Sequence, residues 1–290
     1  MAMKKNKKQR PAMRVPTSIR FIVWLSQRIS SALATKVALY LFFRPQRFKT
    51  PVREHKIFDA AEQIKFSTSS IEKEIQVYRL QGKKQKVLLL HGWSGRGTQL
   101  FSFADELQKE NCEVFTFDMP AHGQSPGNKT NVLELTYCIQ DLNQKFGPFD
   151  AAIAHSMGGF GLLRAIKNGL PLRSAAIIGS GDSIKGVFYR FSQQLHFSDK
   201  ITERMITTVE KQFGTKLETY SSSMSIKDID IPLLIVHDKD DKEVPYKCSI
   251  TLHDLSRNSQ LKLTSGLGHH RILRDPKTVQ HIVQFLFQHP

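Results

Sequence analysis

The chain has 290 residues, 40% hydrophobic and 23% charged, which allows one sizeable core plus an appendage and excludes the disordered and fibrous classes. Cys112, Cys138 and Cys248 are too few and too scattered for a disulfide framework or a metal site, and they fit a reducing, cytoplasmic compartment. The net charge of +16 is local: fourteen Lys or Arg stand against only Glu54 and Asp59 up to Ala60, so twelve of the excess charges lie there and a basic nucleic-acid cleft across the fold is excluded.

In chain order, residues 1–16 read as a disordered basic tail carrying Lys4, Lys5, Lys7, Lys8, Arg10 and Arg14. Residues 17–57 read as an amphipathic helical segment. From Thr17 to Phe43 a single helix is expected, with Ile22, Leu25, Ile29, Leu33, Val37 and Tyr40 on one side and Arg20, Gln27, Arg28, Ser31 and Thr35 on the other. Pro45 stops it. Arg28 and Lys36 interrupt the run, which counts against a membrane span or a signal peptide. Two readings stay open: a helix packed on the rest of the chain, or one lying on an anionic membrane face through residues 1–44.

Residues 58–290 read as one catalytic domain. Gln63–Phe66 and Glu74–Tyr78 alternate as antiparallel edge strands do. After Gly82 apolar strands alternate with helical stretches, the pattern of a mostly parallel sheet with helices on both faces. The strands expected are Val87–Leu90, Glu113–Phe117, Asp150–Ala154, Ala175–Gly179, Leu233–Val236 and Gln260–Leu263. The helices expected are Gln99–Lys109, Val132–Lys145, Met157–Asn168, Lys247–Leu255 and Thr278–Phe287. Residues 182–226 break the alternation with two helical pieces, Val187–Leu195 and Ile201–Gln212, and read as a small helical cap over the carboxyl edge of the sheet, where open α/β sheets bind ligands.

The chemistry centres on Ala154-His155-Ser156-Met157-Gly158, set between a strand and a helix. Small residues two places either side of a serine let the two backbones nearly touch and push the hydroxyl out above the sheet. The stretch resembles the nucleophile elbow of the α/β-hydrolase fold family, G-x-S-x-G, with Ala154 in place of the first glycine. Three further stretches are similar to that family in the same order. His237-Asp-Lys-Asp-Asp-Lys-Glu-Val-Pro245 looks like its acid loop, Gly266-Leu-Gly-His269 like its histidine loop, and Leu88-Leu-Leu-His-Gly-Trp93 like its strand-H-G-x turn. Asp118-Met-Pro-Ala-His-Gly-Gln-Ser125 is similar to its D-x-x-G-x-G-x-S turn and reads as structural.

The resemblance implies a serine hydrolase of the esterase or lipase kind, cleaving a carboxylic ester through an acyl-enzyme. It implies Ser156 as nucleophile, His269 as base and Asp241 as the acid, with His270 an alternative base and Asp238 and Asp240 alternative acids. The oxyanion hole would be the N–H groups of Trp93 and Met157. A thioester or carbon–carbon bond shares the same machinery, and a catalytically silent binding protein is the reading from another class. Gly92, Gly95 and Gly97 fit neither phosphate-loop pattern, and no C-x-x-C or H-E-x-x-H occurs, so no cofactor or metal is expected. The partners expected are a small ester or acyl substrate and an anionic membrane surface, without nucleic acid.

Overall fold

The computed structural model describes residues 15–289, so most of the basic tail lies outside the described residues. Strands β1 (Glu62–Thr68), β2 (Lys73–Leu80), β3 (Lys86–Leu90), β4 (Glu113–Phe117), β5 (Ala151–His155), β6 (Ser174–Ile178), β7 (Leu233–Asp238) and β8 (Ser259–Thr264) form one sheet in the order β1-β2-β4-β3-β5-β6-β7-β8. β2 runs antiparallel to both β1 and β4, and every other pairing is parallel. This is the α/β-hydrolase fold. One expectation needs correcting, since of the first two strands β1 alone is an edge: Val77 to Leu80 of β2 pair with Val114 to Phe117, which makes β2 an interior strand. Its buried residues on both faces, from Ile75 to Tyr78, fit that position.

The helices are α1 (Thr17–Ile29), α2 (Ser31–Phe42), α3 (Val52–Ala60), α4 (Phe101–Lys109), α5 (Val132–Phe146), α6 (Met157–Lys167), α7 (Ile184–Leu195), α8 (Asp199–Phe213), α9 (Ser222–Ser225), α10 (Lys247–Leu255), α11 (Gly268–Arg271) and α12 (Pro276–Phe287). Strand alternation decides which helix meets which face. Leu88, Leu90, Ala152, Ala154 and Ile177 pack with Leu135, Ile139 and Leu142 of α5 and Leu162 and Leu163 of α6. Val87, Leu89, Ile153, Ala176 and Ile178 face the other way, onto Phe103 and Leu107 of α4 and Ile282 and Leu286 of α12. Between β6 and β7 lies a helical insertion, α7 to α9. Its Phe188, Ile201, Met205 and Ile206 share a third apolar cluster with Val23, Ala34 and Ala38.

The N-terminal segment departs from the single helix expected. Ser30 is extended (φ −165°, ψ 152°), its N–H closes α1 on Ser26 O, and its hydroxyl accepts from Leu33 N at 3.1 Å. A serine able to cap a new helix ends the old one, and helical spacing alone does not register it. The orientation is also unexpected. The buried positions are Val23, Ser26, Ala34, Thr35 and Ala38, whereas Ile22, Leu25, Ile29, Leu33 and Tyr40 are exposed. Small residues let α2 approach α8 closely, and Gln27 hydrogen-bonds His196 O and Ser198 N beside it. The side that docks is therefore the one with small residues, and Arg20 and Arg28 stay exposed with the large apolar side chains.

The chain between α2 and β1 is tied down by two anchors, the exposed Arg47 and the buried Glu54. The Arg47 guanidinium donates to the carbonyls of Ala121, Gly123, Ser125 and Gly127 at 2.5–3.1 Å, gathering the turn after β4. The Glu54 carboxylate, 1% exposed, accepts from Arg96 Nε and Nη2 at 2.6 and 2.8 Å and from Thr98 Oγ1 at 2.9 Å. Among the described residues no helix is long and apolar enough to cross a membrane.

Candidate active site

Ser156 stands between β5 and α6 with φ 53° and ψ −116°. A serine pays for that left-handed backbone only where the surroundings impose it. Here β3 imposes it, because a Cβ at Gly158 would lie 2.8 Å from the carbonyl oxygens of Leu90 and His91, and one at Gly92 would lie 2.8 Å from Ser156 Cβ. The helix N-terminus is thereby pressed against the β3 turn, and the Met157 and Trp93 N–H groups have no protein acceptor among the described residues. Both residues line one cavity with Ser156.

The acid loop follows β7, and its three aspartates do different work. Asp241, buried, takes the imidazole: its Oδ2 lies 2.6 Å from His269 Nδ1, while its Oδ1 accepts from the N–H groups of Glu243 and Val244 at 2.8 and 2.9 Å. Asp238 instead accepts from Gly268 N, Leu267 N, Asp240 N and Thr264 Oγ1, and Asp240 accepts from Gly266 N. Those two carboxylates brace the histidine loop against the acid loop. Burial works against the Asp241 charge, but hydrogen bonds from the His237 and His269 rings and from Val244 N–H outweigh it and hold the carboxyl well below the usual carboxylate range.

His237, which no motif singles out, is fully buried beside Asp241. Its Nε2 lies 3.2 Å from Asp241 Oδ2 and 3.0 Å from Val244 O, and its Nδ1 lies 2.6 Å from Ser249 Oγ. A histidine ending a buried apolar strand carries no signal of what it will meet; only the return of the loop over it supplies the carboxylate.

His269 is seated against Gly179, at the end of β6. A Cβ there would lie 3.2 Å from Nδ1, 3.3 Å from Cε1 and 3.5 Å from Asp241 Oδ2. His269 lines the same cavity as Ser156, and Glu243 Oε2 lies 3.9 Å from its Nε2. No hydrogen bond joins Nε2 to the Ser156 hydroxyl. His270 turns elsewhere: it is exposed and pairs with Glu243 Oε1 at 3.0 Å. Burial opposes ionisation of Glu243, yet the His270 hydrogen bond and the charges of His269 and His270 keep it below the ordinary value.

Of the remaining buried histidines, His91 and His122 are held within their turns, whereas His155 reaches the distant histidine loop and its Nδ1 is buried without a partner among the described residues. His91 Nε2 accepts from Met119 N at 3.0 Å, His122 Nε2 accepts from Ser94 N at 3.0 Å, and His155 Nε2 meets His269 O at 3.0 Å. Burial pushes His122 down to about 4 and drives His91 and His155 well below the ordinary histidine value. In the turn after β4, Asp118 accepts from Gly97 N, Gln124 N and Tyr78 Oη at 2.6–2.9 Å and raises no side chain to the cavity.

The cavity itself, about 240 Å³, is mostly apolar, with Arg190, Gln194, Asn131 and Glu243 in its lining beside Ser156 and His269. Its wall includes Phe160 of α6, Phe188 and Phe191 of α7, Phe213 of α8, and Phe42 and Phe43 at the end of α2. Phe42 stacks on Phe188 with ring centroids 4.1 Å apart and meets Phe191 edge-on at 5.1 Å. The N-terminal segment is thus part of the wall. Among the described residues no cluster of His, Cys, Asp and Glu is arranged to hold a metal ion.

The serine aminopeptidase S33 family matches residues 81–218. No curated protein sequence matches the chain. An esterase from Exiguobacterium antarcticum superposes with a TM-score of 0.61 at 16% identity, covering 78% of this chain and all of that one. A putative lipase from Acinetobacter baumannii gives 0.62 at 18% identity, covering 84% of this chain and 98% of the other. A bacterial membrane phospholipase A gives 0.63 at 16% identity, covering 93% of this chain and 98% of that one.

Proposed function

We infer that this chain, a member of the α/β-hydrolase fold family, is a serine hydrolase that cleaves a carboxylic ester with an apolar acyl group. The observation that carries the reading is the buried Asp241–His269 pair, 2.6 Å apart, whose imidazole residue lines the same cavity as a serine held at φ 53°. Asp241 accepts a hydrogen bond from Nδ1–H and stays ionised, which fixes the tautomer whose Nε2 carries the lone pair. Ser156 Oγ attacks the ester carbonyl while Nε2 takes its proton, and the Trp93 and Met157 N–H groups receive the oxyanion. The imidazolium then protonates the departing alkoxide, leaving an acyl-Ser156 ester. Water repeats the sequence, giving the carboxylic acid and the free serine.

An open distance between serine and base before substrate arrives is ordinary for such sites, because the bond tightens in the Michaelis complex. Losing one oxyanion donor would cost on the order of 3 kcal/mol of transition-state stabilisation. The helical insertion acts in this reading as a cap that shapes the acyl site, a role supported by Phe188 and Phe191 in the cavity wall. The same reading extends to a peripheral position at an anionic membrane through residues 1–44.

The test is labelling by a fluorophosphonate probe. Wild type is expected to label on Ser156, Ser156→Ala to lose all labelling, and His269→Ala to label at least a hundred-fold more slowly, as loss of general-base catalysis implies (~10² to 10⁴). Labelling that survives Ser156→Ala removes the nucleophile and the reading with it.

A further inference from the structure

The N-terminal helices turn their most apolar surface away from the protein. Phe21 is 58% exposed, Trp24 52% and Ile29 62%, with Ile22, Leu25, Leu33 and Tyr40 also open. Phe21 and Trp24 stack at 5.9 Å, and Arg28 sits 5.5 Å over the Trp24 ring. A solvent-facing stripe of this size on a helix already packed by its other side has no use in the fold; such stripes mark a partner.

Charge identifies the partner. No acidic residue precedes Glu54, while thirteen Lys or Arg do, among them the exposed Arg20, Arg28, Lys36 and Lys49. An aromatic and aliphatic stripe flanked only by cations suits the headgroup layer of an anionic bilayer, where the rings sit at the interface and each cation near the surface adds about 1 kcal/mol. A hydrophobic protein partner would not require a wholly uncompensated positive field.

The same hairpin also walls the cavity. α2 carries the outward Tyr40 and, two and three residues on, Phe42 and Phe43 in the cavity lining. We propose that the outward face of α1 and α2, centred on Phe21, Ile22, Trp24, Leu25 and Ile29, docks on an anionic bilayer, and that the ester cleaved at Ser156 is an acyl lipid taken from that bilayer. The second clause rests on the hydrolase reading above; the first does not. Docking and substrate supply are then one event, since the element that touches the lipid also bounds the acyl site.

The experiment uses the full chain with phosphatidylcholine vesicles, with and without phosphatidylglycerol, and follows co-sedimentation and turnover of two esters. One ester is the water-soluble p-nitrophenyl acetate, the other a long-chain fluorogenic ester carried in the vesicles. Wild type is expected to bind the anionic vesicles far more tightly than the neutral ones. Ile22→Ser with Trp24→Ser should weaken that binding roughly ten-fold or more, and Arg28→Gln with Lys36→Gln roughly thirty-fold at about 1 kcal/mol each. Both variants should lose vesicle-ester turnover in proportion and keep wild-type turnover of p-nitrophenyl acetate. Binding that is absent, indifferent to anionic lipid, or unchanged in both variants overturns the docking face. So does a lipid-free dimer of wild type that Trp24→Ser converts to monomer, which would assign the stripe to a second copy. Vesicle binding as expected with neither ester cleaved supports the surface and overturns the hydrolase reading instead.

Discussion

The seat of the imidazole is the most exacting feature of the site, and Gly179→Ala tests it. At φ 60° an alanine costs roughly 1–2 kcal/mol that glycine does not. The added methyl would also stand 3.2 Å from His269 Nδ1 and 3.3 Å from its Cε1, closer than ordinary contact, so the ring must give by a few tenths of an ångström. That ring is held by a 2.6 Å bond on one side and, in the proposed mechanism, meets the Ser156 hydroxyl on the other. Misplacement of a reacting group by about 1 Å costs on the order of a hundred-fold in rate, so a shift of this size should lower kcat roughly ten- to a hundred-fold. KM for a short ester should hardly move, because the methyl points at the base and not into the acyl cavity. Urea melts should show the stability loss, and p-nitrophenyl acetate kinetics taken well below the melting temperature should show the rate loss. Full kcat in a variant destabilised as expected would mean that the position of His269 does not govern the chemistry, which refutes the argument for the triad.

Two further outcomes follow from buried charge. Glu54→Gln leaves the Arg96 guanidinium facing a neutral amide in a largely buried site, so urea melts should show a loss of about 3 kcal/mol; a loss under about 1 kcal/mol would show that this anchor holds nothing. His122 is depressed from 6.5 to about 4 in the folded chain. The unfolded chain therefore binds the proton first, and the stability this group contributes is complete above about pH 6.5 and lost as pH falls toward 4, up to about 3 kcal/mol. Asp241, held low, extends the loss below the ordinary carboxylate value near pH 4. A melting temperature flat from pH 7 to pH 4.5 would contradict this.

Most of the sheet was legible because buried parallel strands are short apolar runs and turns are marked by Gly, Pro and Asp. Glu113–Phe117 and Lys247–Leu255 fall on the residues expected, and the other core strands differ by one or two positions at their ends. The exceptions have a common cause. β2 read as an edge because its polar residues alternate, but the pairing partner that covers it lies about forty residues away. Ser30 read as helical because its capping hydroxyl competes only once the chain turns there. Of the site residues, Ser156, His269 and Asp241 were reachable through motif order, and the geometry brings the latter two into contact. His237, Arg47 and Glu54 were not, since each owes its role to a loop or strand remote in sequence.

What residue order alone determined was local: which stretches are extended or helical, where a small-x-Ser-x-Gly stretch joins a strand to a helix, and that the first fifty residues carry cations without acids. Those follow from backbone sterics and from composition, and they need no neighbour to be true. Tertiary structure decided everything that depends on which surface meets which. It selected Asp241 over Asp238 and Asp240, because only one of three adjacent carboxylates can reach the imagined path of a ring from another loop. It also turned the apolar stripe of α1 outward, because alanines pack a helix more closely than leucines do, and a segment with both choices buries the face that lets it approach.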